Sequence, residues 1–376
     1  MLTYFDVVEH LITASFGGPQ DAEQRDIRSA VLRAYDEVTT MRDWAYYVAH
    51  SRLITTAPYS AGTLTYDDSV GEMTLAGGTW PSWAPGAHLQ IGDRVAIVES
   101  VSGATATLDA AVRFLPSMDG QSGLSYTLCR VNYPLPSDFR NMDEPTDEYN
   151  WWSGVYVEPG VAMKMERVAK ASGKPLHWTI IKDRNGSGWQ IQLIGYPTSE
   201  ETVDFMYRRS ARPLKYSGHE SVSRDGHVTR VGNAITGHQT AFASDVVGSL
   251  LRIGNTSLRP GPQWSLNPPT EESEITARSS DTSISSVASG SLPNNTRYII
   301  TDPIDVPPHM HNVVLSCAEY WLARMRNKTA EKEFALYQRD LRLAMERDQL
   351  APISGRSREV YHNGGWRSPL LADGGT

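Results

Sequence analysis

The sequence predicts an α+β protein: a helical-bundle scaffold with a β-hairpin or meander, carrying two inserted small all-β modules of barrel or sandwich type. Three observations lead there. One β pattern occurs twice, in residues 62–130 and 226–300. Apolar stripes of helical period occupy both ends of the chain. Between the two repeats, residues 140–220 carry a hairpin signal of their own.

The scaffold opens in residues 1–58. A short helix is expected over Thr3 to Ser15. A longer one follows over Asp21 to His50, where Ile27, Val31, Tyr35, Val38, Met41, Ala45 and Val48 recur at three and four residues. Pro19 and the acidic first turn (Asp21, Glu23) suit its start. Ala57-Pro58 ends the helical pattern.

Residues 59–131 form the first β module and residues 218–304 the second. The first contains Gly86-Ala87-His88-Leu89-Gln90-Ile91-Gly92 and the second Gly248-Ser249-Leu250-Leu251-Arg252-Ile253-Gly254, a shared G-x-x-L-x-I-G. Six residues before each leading glycine stands an aromatic, Trp80 or Phe242. Each copy opens on a glycine (Gly62-Thr63-Leu64-Thr65; Gly226-His227-Val228-Thr229) and closes on a tyrosine strand (Tyr126-Thr127-Leu128; Tyr298-Ile299-Ile300). Glycine, threonine, aliphatic and aromatic residues in alternation build strands and turns, not reactive sites. The modules are expected to be separable from the assembly core, since Pro58 and Pro134 bracket one, Gly218 and Pro307 the other.

Residues 132–217 return to the scaffold. Pro159 to Ser172 can form a short helix, ended by Gly173 and Pro175. Leu176 to Asp183 and Gly188 to Gly195 read as two strands joined across Arg184-Asn185-Gly186-Ser187, where Asn-Gly supplies the positive φ of a tight hairpin. Glu201 to Arg209 alternates Val203, Phe205 and Tyr207 as a third strand. In residues 305–350, Pro307-Pro308 leads into the strongest helix, His311 to Gln349, with Val314, Cys317, Trp321, Met325, Phe334, Leu341 and Met345 on one side. Its stripe weakens near Arg324–Thr329, and Trp321 and Met325 are expected to pack on Val31, Tyr35 and Val38. Residues 351–376 are too polar, and too interrupted by proline and glycine, to form a core, and read as an extended tail.

At 376 residues the chain can bury a large core, and its net charge of −8 argues against an electrostatic grip on nucleic acid. No apolar run is long enough to span a membrane, and the N-terminal residues, with Asp6 and Glu9 and no basic stretch, do not read as a signal peptide. The two cysteines, Cys129 and Cys317, are far apart in sequence, outside any metal-ligand spacing. His309-Met310-His311 reads as a turn before a helix. The acidic run Asp143, Glu144, Asp147, Glu148 before Trp151-Trp152 reads as a solvated loop, and Asp67-Asp68 and Asp281 as turn residues. Trp80 is expected in a core and Trp83 at a surface. The sequence therefore assigns no catalytic, metal or cofactor residue, and an enzyme is not expected.

The order of elements, with the return Tyr133-Pro134-Leu135-Pro136-Ser137-Asp138-Phe139, the strand Trp189–Pro197 and the strand ending Tyr207-Arg208-Arg209, resembles the head-to-tail adaptor (connector, or tail tubular A-like) proteins of tailed bacteriophages. The two β modules depart from compact members of that family. The resemblance implies a virion neck protein, assembled in the host cytoplasm, that forms a ring of usually twelve copies. Its partners would be the portal protein above, a tail nozzle or tube protein below, and DNA passing through the channel without sequence specificity. The tail residues Arg356, Arg358, Tyr361, Trp366 and Arg367 are of the types that anchor interfaces, and are expected to bind the portal. The alternative is a virion protein that binds a receptor or carbohydrate through the β modules.

Overall fold

The computed structural model describes residues 1–14, 21–111, 113, 114, 116–142, 155–166, 177–183, 186, 188–253, 271–326 and 329–350. Helices α1 (Tyr4–Ala14) and α2 (Asp21–Thr40) open the chain. α2 stops short of the expected His50 because Trp44 folds back: its buried indole donates from Nε1 to the Val38 carbonyl at 2.7 Å. A 3-10 turn at Ala45–Tyr47 leads into β1 (Val48–Ile54), so apolar residues that fit a helical stripe serve a turn and a strand instead.

The first module is built from β2 (Thr63–Asp67), β3 (Glu72–Ala76), β4 (His88–Ile91), β5 (Arg94–Ser102), β6 (Thr105–Leu108) and β7 (Thr127–Cys129), in spatial order β2-β3-β6-β5-β4-β7. Leu64 on β2 pairs with Leu124, just before β7, so the sheet curls until its two ends approach. Next come β8 (Asn132–Pro134), β9 (Phe139–Met142), β10 (Val155–Tyr156), α3 (Pro159–Glu166), β11 (His177–Lys182), β12 (Trp189–Ile194) and β13 (Thr202–Arg209). The expected hairpin is β11–β12; it joins β10 and β8, whereas β13 lies between β1 and β9 in a second sheet. The two sheets share a core of Leu53, Tyr133, Phe139, Trp178, Leu193 and Phe205.

After the four-residue α4 (Ser221–Arg224), the second module uses β14 (His227–Val231), β15 (Ala234–His238), β16 (Leu250–Ile253), β17 (Glu271–Ser280), β18 (Ser283–Ser286), β19 (Ser291–Thr296) and β20 (Tyr298–Thr301). Its order is β19-β14-β15-β18-β17-β16-β20; the six strands from β14 to β20 repeat the order of the first module, and β19 is added at the β14 edge. Consecutive β19 and β20 pair with β14 at one end and β16 at the other, which curls this sheet in the same way. The repeat residues hold equivalent places. Leu89 and Leu251 are fully buried, and Trp80 and Phe242 pack at 6.0 and 5.8 Å from Tyr126 and Tyr298. The tyrosine hydroxyls donate to Ala61 O at 2.7 Å and Asp225 O at 2.8 Å, in each case the residue before the opening glycine.

The chain closes with α5 (His311–Met325) and α6 (Glu331–Leu350), two helices where one was expected, the break falling where the apolar stripe weakens. Helices from both ends of the chain share one core, in which Val7, Leu11, Val31, Val38, Val314 and Cys317 meet, with Trp321 and Met325 packed against it as expected. The Trp321 Nε1 donates to Glu37 at 2.7 Å and the Tyr337 hydroxyl donates to the same carboxylate at 2.9 Å.

The expectation of a helical-bundle scaffold with two small insertions is overturned. Strands make up 37% of the chain and helices 28%, and two large curled sheets dominate it. The helical signals are local and periodic, so they weigh heavily in a sequence. The long-range strand pairings that organise the chain have no comparable local signal. Two compact units are distinguished, one within Met1–Tyr47 and Ala211–Ser357, the other including Val48–Ser210. The first unit contains the second β module as well as the helices.

Candidate functional site

In the second unit, the open end of the two-sheet core forms a groove of about 360 Å³. β9 supplies Arg140 and Met142, β10 supplies Tyr156, and the β11–β12 hairpin supplies Trp178, Ile180 and Trp189. Position in the sheet sets these roles: Trp178 on the inner strand β11 faces the core and is buried, while its register partner Tyr156 on the edge strand β10 meets it edge-on at 5.1 Å and stays 41% exposed. Trp189 is 42% exposed at the start of β12. Val155, Val161 and Met163 add exposed apolar surface on the adjoining β10 and α3. A surface with this lining binds by contact: flat aromatic faces, a thioether and a single guanidinium suit an apolar or aromatic partner group.

The first unit buries a few charged side chains. Arg252, 3% exposed on β16, donates to both carboxylate oxygens of Asp6 on α1 at 2.7 and 2.8 Å, and to Glu272 at 2.8 Å. Burial works against the guanidinium charge, but these carboxylates outweigh it and hold its pKa above the ordinary value. Asp302, 1% exposed, accepts from the backbone N–H of Lys215 (2.5 Å) and Tyr216 (2.8 Å) and from Ser249 Oγ (2.7 Å). Glu220 accepts from Ser217, Ser223 and Arg28 of α2; burial pushes its carboxyl up, but the hydrogen bonds win and its pKa is lowered. The second module is thus fastened to α1 through the buried Arg252, and the segment that opens it to α2 through the half-buried Arg28–Glu220 pair. Composition did not expose this; the one signal was an arginine inside an otherwise apolar strand, Leu250-Leu251-Arg252-Ile253.

The residues singled out in the sequence fall as follows. Arg356, Arg358, Tyr361, Trp366 and Arg367 lie outside the described residues, as do Asp143, Glu144, Asp147, Glu148, Trp151 and Trp152. His309 sits on the 3-10 turn leading into α5 and His311 is the first residue of α5; among the described residues no group of three or more His, Cys, Asp or Glu is placed to hold a metal. Asp67 accepts from Ser69 and Asp68 from Tyr66, both as local turn contacts. Trp80 is buried, with Nε1 on Ala104 O at 2.8 Å; Trp83 is half-buried against the same core instead of at the surface. Burial pushes the Cys129 and Cys317 thiols up to about 12, so both are protonated at neutral pH.

The chain matches no protein-family model, and no curated protein or solved structure is significantly similar to it. Among the described residues, no helix is long and apolar enough to cross a membrane.

Proposed function

We propose that this chain is a structural virion protein, a ring-forming head-to-tail adaptor that joins a phage portal to the tail and lets DNA pass through its channel. The observation that carries this reading is the packing of helices from both ends of the chain in one core, with apolar side chains left outside on two of them. α2 leaves Leu32, and the bend just after it Met41, about two-fifths exposed, and α6 leaves Phe334 and Leu343 so. A rotational ring repeats one heterologous contact until it closes, and each copy must then offer two different faces. Two separate helices with exposed apolar residues meet that need. The sequence patterns at Tyr133–Phe139, Trp189–Pro197 and Tyr207–Arg209 add the family resemblance.

The partners on this reading are further copies of the chain, a portal protein bound through residues 351–376, and a nozzle or tube protein. Electron microscopy of the purified full chain, alone and mixed with its portal, tests it. A closed ring with an axial channel is the expected particle, and deletion of 351–376 should abolish portal binding while leaving the melting curve unchanged. A monomer or a trimeric fibre under both conditions would overturn the reading. The second reading is a receptor- or carbohydrate-binding virion protein; the sequence places that binding in the β modules, whereas the aromatic groove that favours it lies outside both, between Phe139 and Trp189. That reading would be supported by glycan binding that is lost in Trp189→Ala.

A further inference from the structure

We propose that His227 and His238 form a two-imidazole site for a first-row divalent cation of the Cu(II), Ni(II) or Zn(II) type. The two residues are directly opposed in the register of β14 and β15. Opposed Cβ atoms on antiparallel strands lie about 4.5–5.5 Å apart. Here the rings stack with centroids 5.2 Å apart and planes 20° from parallel. Metal–imidazole bonds of about 2.0–2.1 Å bridge that gap when each ring turns a nitrogen toward the space between them. His227 is half-buried and His238 exposed, so water can complete the coordination sphere. Imidazole is a preferred ligand for these ions, and Cu(II) binds tightest in the series.

The corner that carries the pair is rigid. Gly226, at φ +83°, lies so close to the chain turning out of β15 that a Cβ there would come within 2.3 Å of His238 O and 2.5 Å of Gln239 O. The Tyr298 hydroxyl pins the preceding carbonyl, Asp225 O, at 2.8 Å. Both Cα positions are therefore held before any ion arrives, which lowers the cost of bringing two ligands together. The first module builds the same corner, with Gly62 against Ala76 O and Tyr126 on Ala61 O. It carries Thr63 and Ala76 where the second carries His227 and His238. Both members of one cross-strand pair are imidazoles in one copy and neither is in the other, so the chain contains its own control.

Calorimetric titration of the full chain with copper(II) chloride, in a buffer that does not chelate, tests the site, with EPR of the bound ion as a second readout. One equivalent at low micromolar affinity is expected, with hyperfine structure from two nitrogens. His227→Thr and His238→Ala should each weaken binding at least about tenfold, because the remaining imidazole no longer has a tethered partner. Both substitutions copy residues that the first module tolerates in the same place, and an unchanged melting curve without metal confirms folding. Unchanged affinity and stoichiometry in both variants, or one-nitrogen hyperfine structure in the parent chain, would show that the stacked histidines are a packing pair only.

Discussion

The two β modules share a strand order, a glycine corner and a tyrosine latch, yet they turn different chemistry outward. At the fifth position of G-x-x-L-x-I-G the first module has Gln90, which takes a hydrogen bond from Tyr196. The second has Arg252, clamped between Asp6 and Glu272. On the opening strand the fully buried Tyr66 of the first module's core is matched by Arg230, which pairs with Glu271 inside the second module. Residues 254–270 stand in the second module where Gly92 and Asp93 join the strands of the first. The comparison separates two kinds of position. The glycines and aliphatic residues of G-x-x-L-x-I-G and the closing tyrosines build the curled sheet and recur; Gln90 and Arg252 fasten each copy to its own surroundings and diverge.

The largest expected effect breaks the fastening of one copy only. Arg252→Ala leaves Asp6 and Glu272 without their buried partner and should destabilise the first unit by about 3–5 kcal/mol. Gln90→Ala removes one neutral hydrogen bond and should cost about 1 kcal/mol. Urea unfolding, with hydrogen exchange read separately over the strands of each module, distinguishes the two. Equal losses would mean that charge plays no special part in the second copy.

The latch should treat the copies alike. Tyr126→Phe and Tyr298→Phe each strip one hydrogen bond from the carbonyl before the opening glycine, for about 1 kcal/mol apiece. A marked difference in the local exchange of the two modules would show that the shared geometry does not carry shared energetics.

A finer difference lies one residue past β3 and β15. Gly77 holds φ +75° in the first module, and Gln239 holds φ +57° at the same place in the second. A side chain in that backbone region costs about 1–2 kcal/mol. Gln239→Gly should therefore raise the thermal midpoint, offset in part by the greater freedom of glycine in the unfolded chain, whereas Gly77→Gln should lower it.

The smallest effect is a pH dependence at Asp245 of the second module. Hydrogen bonds from Lys215 and Tyr216 hold the Asp245 carboxyl down at about 2, against an ordinary 3.8. A carboxyl lowered on folding contributes stability that is present above the unfolded value and lost as the pH falls through the folded one. Exchange protection around Asp245 should thus decline between about pH 4 and pH 2, and Asp245→Asn should flatten that decline. Trp83 stands in its place in the first module and contributes no such titration.

The sequence by itself determined the duplication, the hairpin, the helices at both chain ends, the contact of Trp321 with α2 and the weak point between α5 and α6. These rest on short-range regularities: the alternation of Leu64 and Tyr66, the spacing of Val31, Tyr35 and Val38, and glycines where φ must be positive. It also suggested a helix across 41–50 and a helical scaffold carrying minor insertions, and both were corrected. Trp44 folding back onto Val38 ends α2, and no periodicity announces that bond. Only the tertiary structure decided that β13 lies between β1 and β9, that Met142, Tyr156, Trp178 and Trp189 line one groove, and that Arg252 faces Asp6 across 246 residues of chain. Strand partners and buried ion pairs join residues far apart in sequence. Their energies depend on which surfaces meet and lose water, and a linear pattern of residue types does not record that.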